Sequence, residues 1–395
     1  MGVKERRYEI DWLRVIAFLL LILYHTGMFF VPWDFHFKNS TMSEMFELWM
    51  VPLNQFRLPL LFMISGMGAF FVLKHRTGFG YFRERHRRLL IPLIFGMLVI
   101  VPPQIYSEHI FKGVNYSSYW DFYKTVFEFK PYPQGGALSW HHLWYILYIF
   151  IYSLICFPLL KFMKEKSLGF QEKILSFFSK PGRLYLLILP FLLIYYGMAW
   201  KFPTTHSLID DWYNLLYMLM FFICGIVLIS TDGLWNILER FRKTSLIIAA
   251  IPFSFLWLFV WGPTFEIMRE DTWTFFFLYG FLKNVFTVTI LFAILGYSRI
   301  FLNRTNKFLK YSTEAVYPFY ILHQSVMLVF GLYILRMPLG IFPKFILVVI
   351  ATFGGSWLIY ELLIKRFNVM RVLFGLNPKR KTIPQIDTVP EKNPA

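Results

Sequence analysis

Ten apolar stretches, each near the length a helix needs to cross a bilayer, run through this sequence close to residues 10–31, 55–73, 89–107, 141–160, 183–200, 213–229, 244–261, 272–295, 311–333 and 341–363. In lipid a backbone must satisfy its own polar groups, so single apolar runs of this length leave the helix as the workable spanning element. The expected fold is all-α: a polytopic membrane helix bundle with about ten transmembrane helices. With 57% hydrophobic and 16% charged residues, the chain lies outside soluble globular composition. A net charge of +17 would suit a nucleic-acid partner. The basic residues instead sit in short runs between apolar stretches, which makes the lipid bilayer the partner and excludes nucleic acid. Cys156 and Cys224 lie inside apolar stretches without disulfide or zinc spacing, and no metal is indicated.

Ten spans place both termini on one side. With the N-terminus inside, internal loops and tails hold 29 Lys and Arg, against 8 in external loops and 3 in the spans. That asymmetry predicts cytoplasmic termini and a multi-pass protein of the cytoplasmic (inner) membrane. The "KERR" before the first run resembles the start of a signal peptide, but no small-residue cleavage site follows, so the first span reads as retained. No internal repeat is visible. Residues 1–375 form one transmembrane domain, and the polar, Pro- and Lys-bearing segment 376–395 reads as a disordered cytoplasmic tail.

Ionisable residues are costly within a bilayer, so those inside the runs call for an explanation. Arg14 and His25 are eleven residues apart in the first span, which puts them on nearly one helix face, roughly 16 Å apart, with Asp11 placed to pair with Arg14. A neutral His can act as a general base on a hydroxyl, and an Arg can hold an anion at the other end of a cavity. The second span, "FRLPLLFMISGMGAFF", carries Arg57, Ser65 and Gly66. The fourth opens with His141 and His142, which point about 100° apart and are poorly placed for one metal. Glu314 and His323 fall in the ninth span and Glu361 in the tenth. Lys283, mid-membrane in the eighth, needs a partner, for which Glu361 and Glu314 are the candidates. The run "KHRTGFGYFRERHRR" reads as a positive-inside anchor or as a site for a phosphate-rich molecule. Tyr and Trp in the external loop 107–140 suit an interfacial belt, or flat faces for a carbohydrate. A polar cavity crossing the bilayer would serve a transmembrane enzyme or, alternatively, a transporter or exporter of an acidic or acylated substrate.

Arg14 and His25 with ten residues between them, then "FRLPLLFMISGMGAFF", the basic loop, "SWHHLWYILYIFIYSLICF", "VYPFYILHQSVML" and "LIYELLIKRF", resemble the acyltransferase-3 family of integral membrane O-acyltransferases over residues 8 to 375. The resemblance implies an acyl-CoA co-substrate, succinyl-CoA or acetyl-CoA, reached from the cytoplasm, and an acceptor hydroxyl on an extracytoplasmic glucan or other glycan. It implies His25 as catalytic base with Arg14 assisting the donor, and Arg83, Arg85, Arg87 and Arg88 as attractors of the CoA phosphates. Arg57, Ser65, His142, His323 and Glu361 match family motifs and are assigned to the cavity. No Gly-x-Ser-x-Gly elbow is present, so direct transfer in a ternary complex is the expected route, with an acyl-enzyme as the alternative. A backbone donor near Ser65-Gly66 is a conceivable oxyanion site.

Overall fold

The computed structural model describes residues 6–231, 233–262 and 272–379. Among these the chain is helical with no named strand, and it contains eight helices long and apolar enough to span a membrane, or ten when two bent pairs each count as one. In chain order they are α1 (Tyr8–Phe30), α2 (Glu44–Lys74), α3 (Gly78–Phe111), the pair α4 (His141–Ile155) and α5 (Phe157–Glu165), the pair α6 (Leu168–Phe178) and α7 (Arg183–Met198), α8 (Trp212–Ser230), α9 (Leu234–Trp261), α10 (Trp273–Phe301), α11 (Lys307–Ile334) and α12 (Ile341–Ile364). All ten expected stretches fall on these elements. Two are not straight: α4 and α5 bend by 55° at Cys156, just before Pro158, and α6 meets α7 at 105°. Of the expected tail, 380–395 lie outside the described residues, while Asn377 accepts at its carbonyl from Arg371 Nε at 2.7 Å.

Burial sorts the helices. The apolar window of α11 is 78% buried and those of α9 and α12 only 22%, so α11 forms the axis of the bundle and α9 and α12 face lipid. This is why "HQS" at 323–325 can sit in the middle of a membrane helix: His323, Gln324 and Ser325 are all enclosed by neighbouring helices. Helix α2 crosses α8 with backbones in contact. A Cβ on Gly66 would lie 2.0 Å from the Phe222 carbonyl oxygen, and one on Gly225 would lie 1.9 Å from that of Met63.

Three prolines inside the spans are matched by hydroxyls from adjacent elements. A helical proline leaves the carbonyl four residues earlier without its donor, and in lipid that group needs another. Pro59 frees the Gln55 carbonyl, which accepts from Thr287 of α10 at 3.4 Å. Pro92 frees that of Arg88, which accepts from Tyr317 of α11 at 2.9 Å. Pro102 frees that of Leu98, which accepts from Tyr123 of the 112–140 loop at 3.0 Å. Each kink thus fastens its helix to a neighbour.

Candidate active site

A cavity of about 1330 Å³ opens at the end of the bundle that carries His141 and reaches inward to His25. Helices α1, α2, α3, α4, α8, α10 and α11 contribute its wall. His25 occupies the last turn of the α-helical part of α1, and its ring meets that of His323 edge to edge, with centroids 5.1 Å apart and planes 6° from parallel. His25 Nδ1 and His323 Nε2 are 2.9 Å apart, and His323 Nδ1 is 2.6 Å from the Tyr320 carbonyl oxygen. A carbonyl only accepts, so His323 Nδ1 carries hydrogen and its Nε2 is an acceptor. His25 Nδ1 therefore donates, and in the neutral ring its Nε2 keeps a free lone pair. No protein group among the described residues bonds to that nitrogen, and the ring lines the cavity. His323 is thus the residue that orients His25, by the logic of a base fixed in one tautomer by its partner.

His142 lies against the same cluster, its ring 5.1 Å from that of His323 and perpendicular to it. Its Nε2 donates to the Ile321 carbonyl at 3.1 Å, leaving Nδ1 to accept from Gln104 at 3.3 Å. Gln104 also donates to Ser325 Oγ at 2.8 Å, so α3, α4 and α11 are joined at this depth. Both ring nitrogens of His142 are therefore engaged.

Arg57 lines the cavity beside Tyr24 and His25, with its guanidinium 3.8 Å above the centre of the Tyr24 ring. The residue is 2% exposed, it pairs with no carboxylate among the described residues, and its Nε and Nη1 have no hydrogen-bond partner. A buried cation with idle donors is expensive unless a ligand supplies the counter-charge. Ser65 lies outside the lining: its hydroxyl is 2.6 Å from that of Tyr145, which does line the cavity. Gly66 is pressed against Phe222. The Ser65-Gly66 segment is therefore committed to packing, and the unpartnered donors near His25 are those of Arg57.

The remaining expected residues lie elsewhere. Arg14 is absent from the lining, is one-third exposed, and stands 3.9 Å from Asp11, whose closer partner is Arg6 at 2.8 Å. The four arginines after α2 divide: Arg83 is exposed, Arg85 and Arg88 flank the buried Glu84 at 2.5 and 3.2 Å, and Arg87 bonds the Asn377 side chain. Glu361 is remote from the cavity and takes hydrogen bonds from Lys365 at 2.7 Å and Tyr311 at 2.8 Å. Glu314 pairs with Arg371 at 2.7 Å, so neither expected carboxylate serves Lys283. The ammonium of Lys283 instead faces the cavity and the rings of Tyr195 and Tyr217.

At the rim, sequence reasoning missed His36, Glu108 and His206. His36, in the loop after α1, donates from Nδ1 to Glu108 at 2.6 Å and accepts at Nε2 from Gln324 at 2.9 Å, and its ring stacks on His141 at 4.9 Å. Donor atoms of His36, Glu108 and His141 come within 4.8 Å of one another, the spacing of a possible metal group. The Glu108 carboxylate is already shared by His36, Lys112 and Tyr132 and both His36 nitrogens are engaged, whereas His141 Nε2 is buried without a hydrogen-bond partner. Burial, with the Glu108 carboxylate beside it, pushes the Tyr132 phenol well above its usual value, and it stays a donor. Across the mouth His206 stacks on Trp144 at 4.2 Å, and burial holds its imidazole below the usual value. His141, His206 and Leu208 adopt positive φ of 41°, 60° and 68°, a strained conformation concentrated at this rim. Only an isolated His in a loop and a Glu at a helix end marked these residues in the sequence.

The family model for the acyltransferase-3 family, described as an acyltransferase domain, matches residues 7–361. Among curated relatives, glucans biosynthesis protein C of Escherichia coli O81 is 22% identical over 386 residues, 95% of either chain. The protein of the same name from Shigella dysenteriae serotype 1 is 22% identical over 155 residues, and there the match spans 38% of each chain. No solved structure matches this chain. With a family match over nearly its whole length and a bundle of apolar helices around a histidine-lined cavity, the chain belongs to the acyltransferase-3 family and is a multi-pass membrane acyltransferase.

Proposed function

We propose that this enzyme moves a succinyl, acetyl or similar acyl group from coenzyme A, entering from the cytoplasmic, arginine-bearing end, to a hydroxyl of a glycan held in the cavity from the other side. The observation that carries the proposal is the His25–His323–Tyr320 chain, which leaves one imidazole lone pair free at the inner end of an open cavity beside an unpaired Arg57. Trp140, Trp144 and Tyr132 along the mouth suit the apolar faces of sugar rings. The relatives' name points to a glucan as the acceptor class.

In the reaction, His25 Nε2 takes the hydroxyl proton as the acceptor oxygen bonds the thioester carbonyl carbon. The carbonyl oxygen becomes an oxyanion, which Arg57 stabilises with its idle donors. The carbon–sulfur bond then breaks, and the proton on His25 passes to the departing thiolate. Transfer is direct, within a complex of both substrates. Arg14 and the arginines at 83, 85, 87 and 88 serve the donor at the far end. His142, Ser65 and Glu361 support the bundle around the cavity. Both termini lie in the cytoplasm, and the membrane is the inner one.

The test is mass spectrometry of cell-envelope glycans from a deletion strain carrying wild type or His25→Ala at equal membrane abundance. A mass increment restored by wild type alone identifies the acyl group and its acceptor. Restoration by both removes His25 from the chemistry, and restoration by neither turns attention to other acceptors.

A further inference from the structure

Lys283 is the cation that this mechanism leaves idle. It lies nearly three turns into α10 and lines the same cavity as His25. Thr287, one turn further on, bonds the Gln55 carbonyl two residues before Arg57, so α10 approaches α2 at this depth. Among the described residues no carboxylate pairs with Lys283. The three acidic residues that line the cavity are otherwise placed: Glu108 is held by His36, Lys112 and Tyr132, Asp210 by Thr205 and Ser207, and Asp34 stands exposed at the mouth.

The ammonium has only aromatic company, 5.7 Å from the centre of the Tyr195 ring and 6.0 Å from that of Tyr217. Both lie at the outer limit of a cation–π contact, where the attraction is weak. Stripping water from an ammonium costs several-fold more. While the cavity is wet, water covers the difference, but a substrate that displaces the water must bring an anion of its own. A second group in the same lobe has the same need. Tyr213 of α8 is 8% exposed and lines the cavity, and its hydroxyl has no hydrogen-bond partner. Tyr217, beside it, is spent on Asn284 at 2.8 Å.

We infer that Lys283 and Tyr213 form a subsite for a carboxylate of the substrate. One ammonium and one phenol match the two oxygens of a carboxylate, whereas phosphate is better served by guanidinium forks. The carboxylate has two sources: the far end of a dicarboxylic acyl group, or an acidic substituent on the glycan. The inference rests on the acyltransfer reading in taking its ligand from that reaction, but binding alone can test it.

The experiment measures equilibrium binding to the full chain in nanodiscs with two matched pairs of probes: succinyl-CoA against butyryl-CoA, and a carboxymethylated β-glucan oligosaccharide against its neutral parent. Wild type is expected to favour the charged member of one pair by roughly tenfold, the strength of one charged hydrogen bond. Lys283→Gln and Tyr213→Phe should erase that preference with affinity for the neutral member kept, and Lys283→Arg should retain it. A preference within the thioester pair places the carboxylate on the acyl group, and one within the glucan pair places it on the acceptor. No preference in wild type, or one that survives Lys283→Gln, overturns the inference. Should Lys283→Gln also lose the neutral probes, the inference stands on Lys283→Arg keeping the preference and falls if it does not. If neither thioester binds wild type but a Lys283-dependent glucan preference remains, the acyltransfer reading fails and the subsite survives.

Discussion

His25 depends on two neighbours that act differently, and kinetics can separate them. Losing the orienting acceptor should let the His25 ring turn and change tautomer. We therefore expect His323→Ala to lower kcat by roughly tenfold to a hundredfold with little change in KM for the acyl donor. His323→Asn, which restores an acceptor oxygen, should recover part of the loss, and a variant in which KM rose instead would contradict the orienting role. Arg57→Met should reduce kcat by roughly a hundredfold or more, the usual effect of removing an oxyanion donor. Unchanged turnover in Arg57→Met would return the oxyanion to some other donor. Of these residues, His25 was legible because an ionisable group inside an apolar run is conspicuous in any single sequence. The role of His323 was not legible, since it follows from which atom faces the Tyr320 carbonyl, a matter of ring orientation and of a sequence separation of 298 between the two histidines. Glu361 and Arg14 attract notice in the sequence for the same reason as His25, yet they lie outside the cavity because helix depth and rotation, not residue type, decide what a side chain meets.

At the scale of elements, the contact of α2 with α8 depends on two glycines. Gly66→Val or Gly225→Val would push a side chain into a backbone carbonyl that cannot yield, and should cost about 1–3 kcal/mol, as overpacking does elsewhere. Gly68, on the same helix, has nothing within 4 Å of a built Cβ, so Gly68→Ala should be neutral or stabilise by up to about 1 kcal/mol. Thermal unfolding in detergent, followed by loss of monodisperse protein, ranks the three, and equal behaviour of Gly66→Val and Gly68→Ala would refute the close contact. The existence and type of the helices were legible, because apolar length alone announces a span. The bend at Cys156, the right-angled turn from α6 to α7 and the hydroxyls that answer Pro59, Pro92 and Pro102 were not, because each is a contact between segments distant in sequence.

Across the whole molecule, the proposal places two ends of one bundle in different compartments, and thiol labelling can check it. Cys156 is buried and Cys224 partly so, which makes wild type a quiet background for an impermeant maleimide. Ile209→Cys at the mouth should be labelled in intact cells, whereas Arg83→Cys should react only after the membrane is opened. Labelling of Arg83→Cys from outside would invert the topology and, with it, the assignment of donor and acceptor ends. The number of spans and the expected sidedness were already set by the sequence, through the length of apolar runs and the distribution of 40 Lys and Arg, since transfer into lipid and positive-inside bias act on each segment locally. Tertiary structure alone decided which polar residues share a cavity. It brought His25 to His323, left Arg57 and Lys283 without carboxylates among the described residues and withdrew Glu361 and Glu314 into ion pairs. Those outcomes depend on how helices far apart in sequence rotate and cross, and on which buried groups satisfy one another before a substrate arrives.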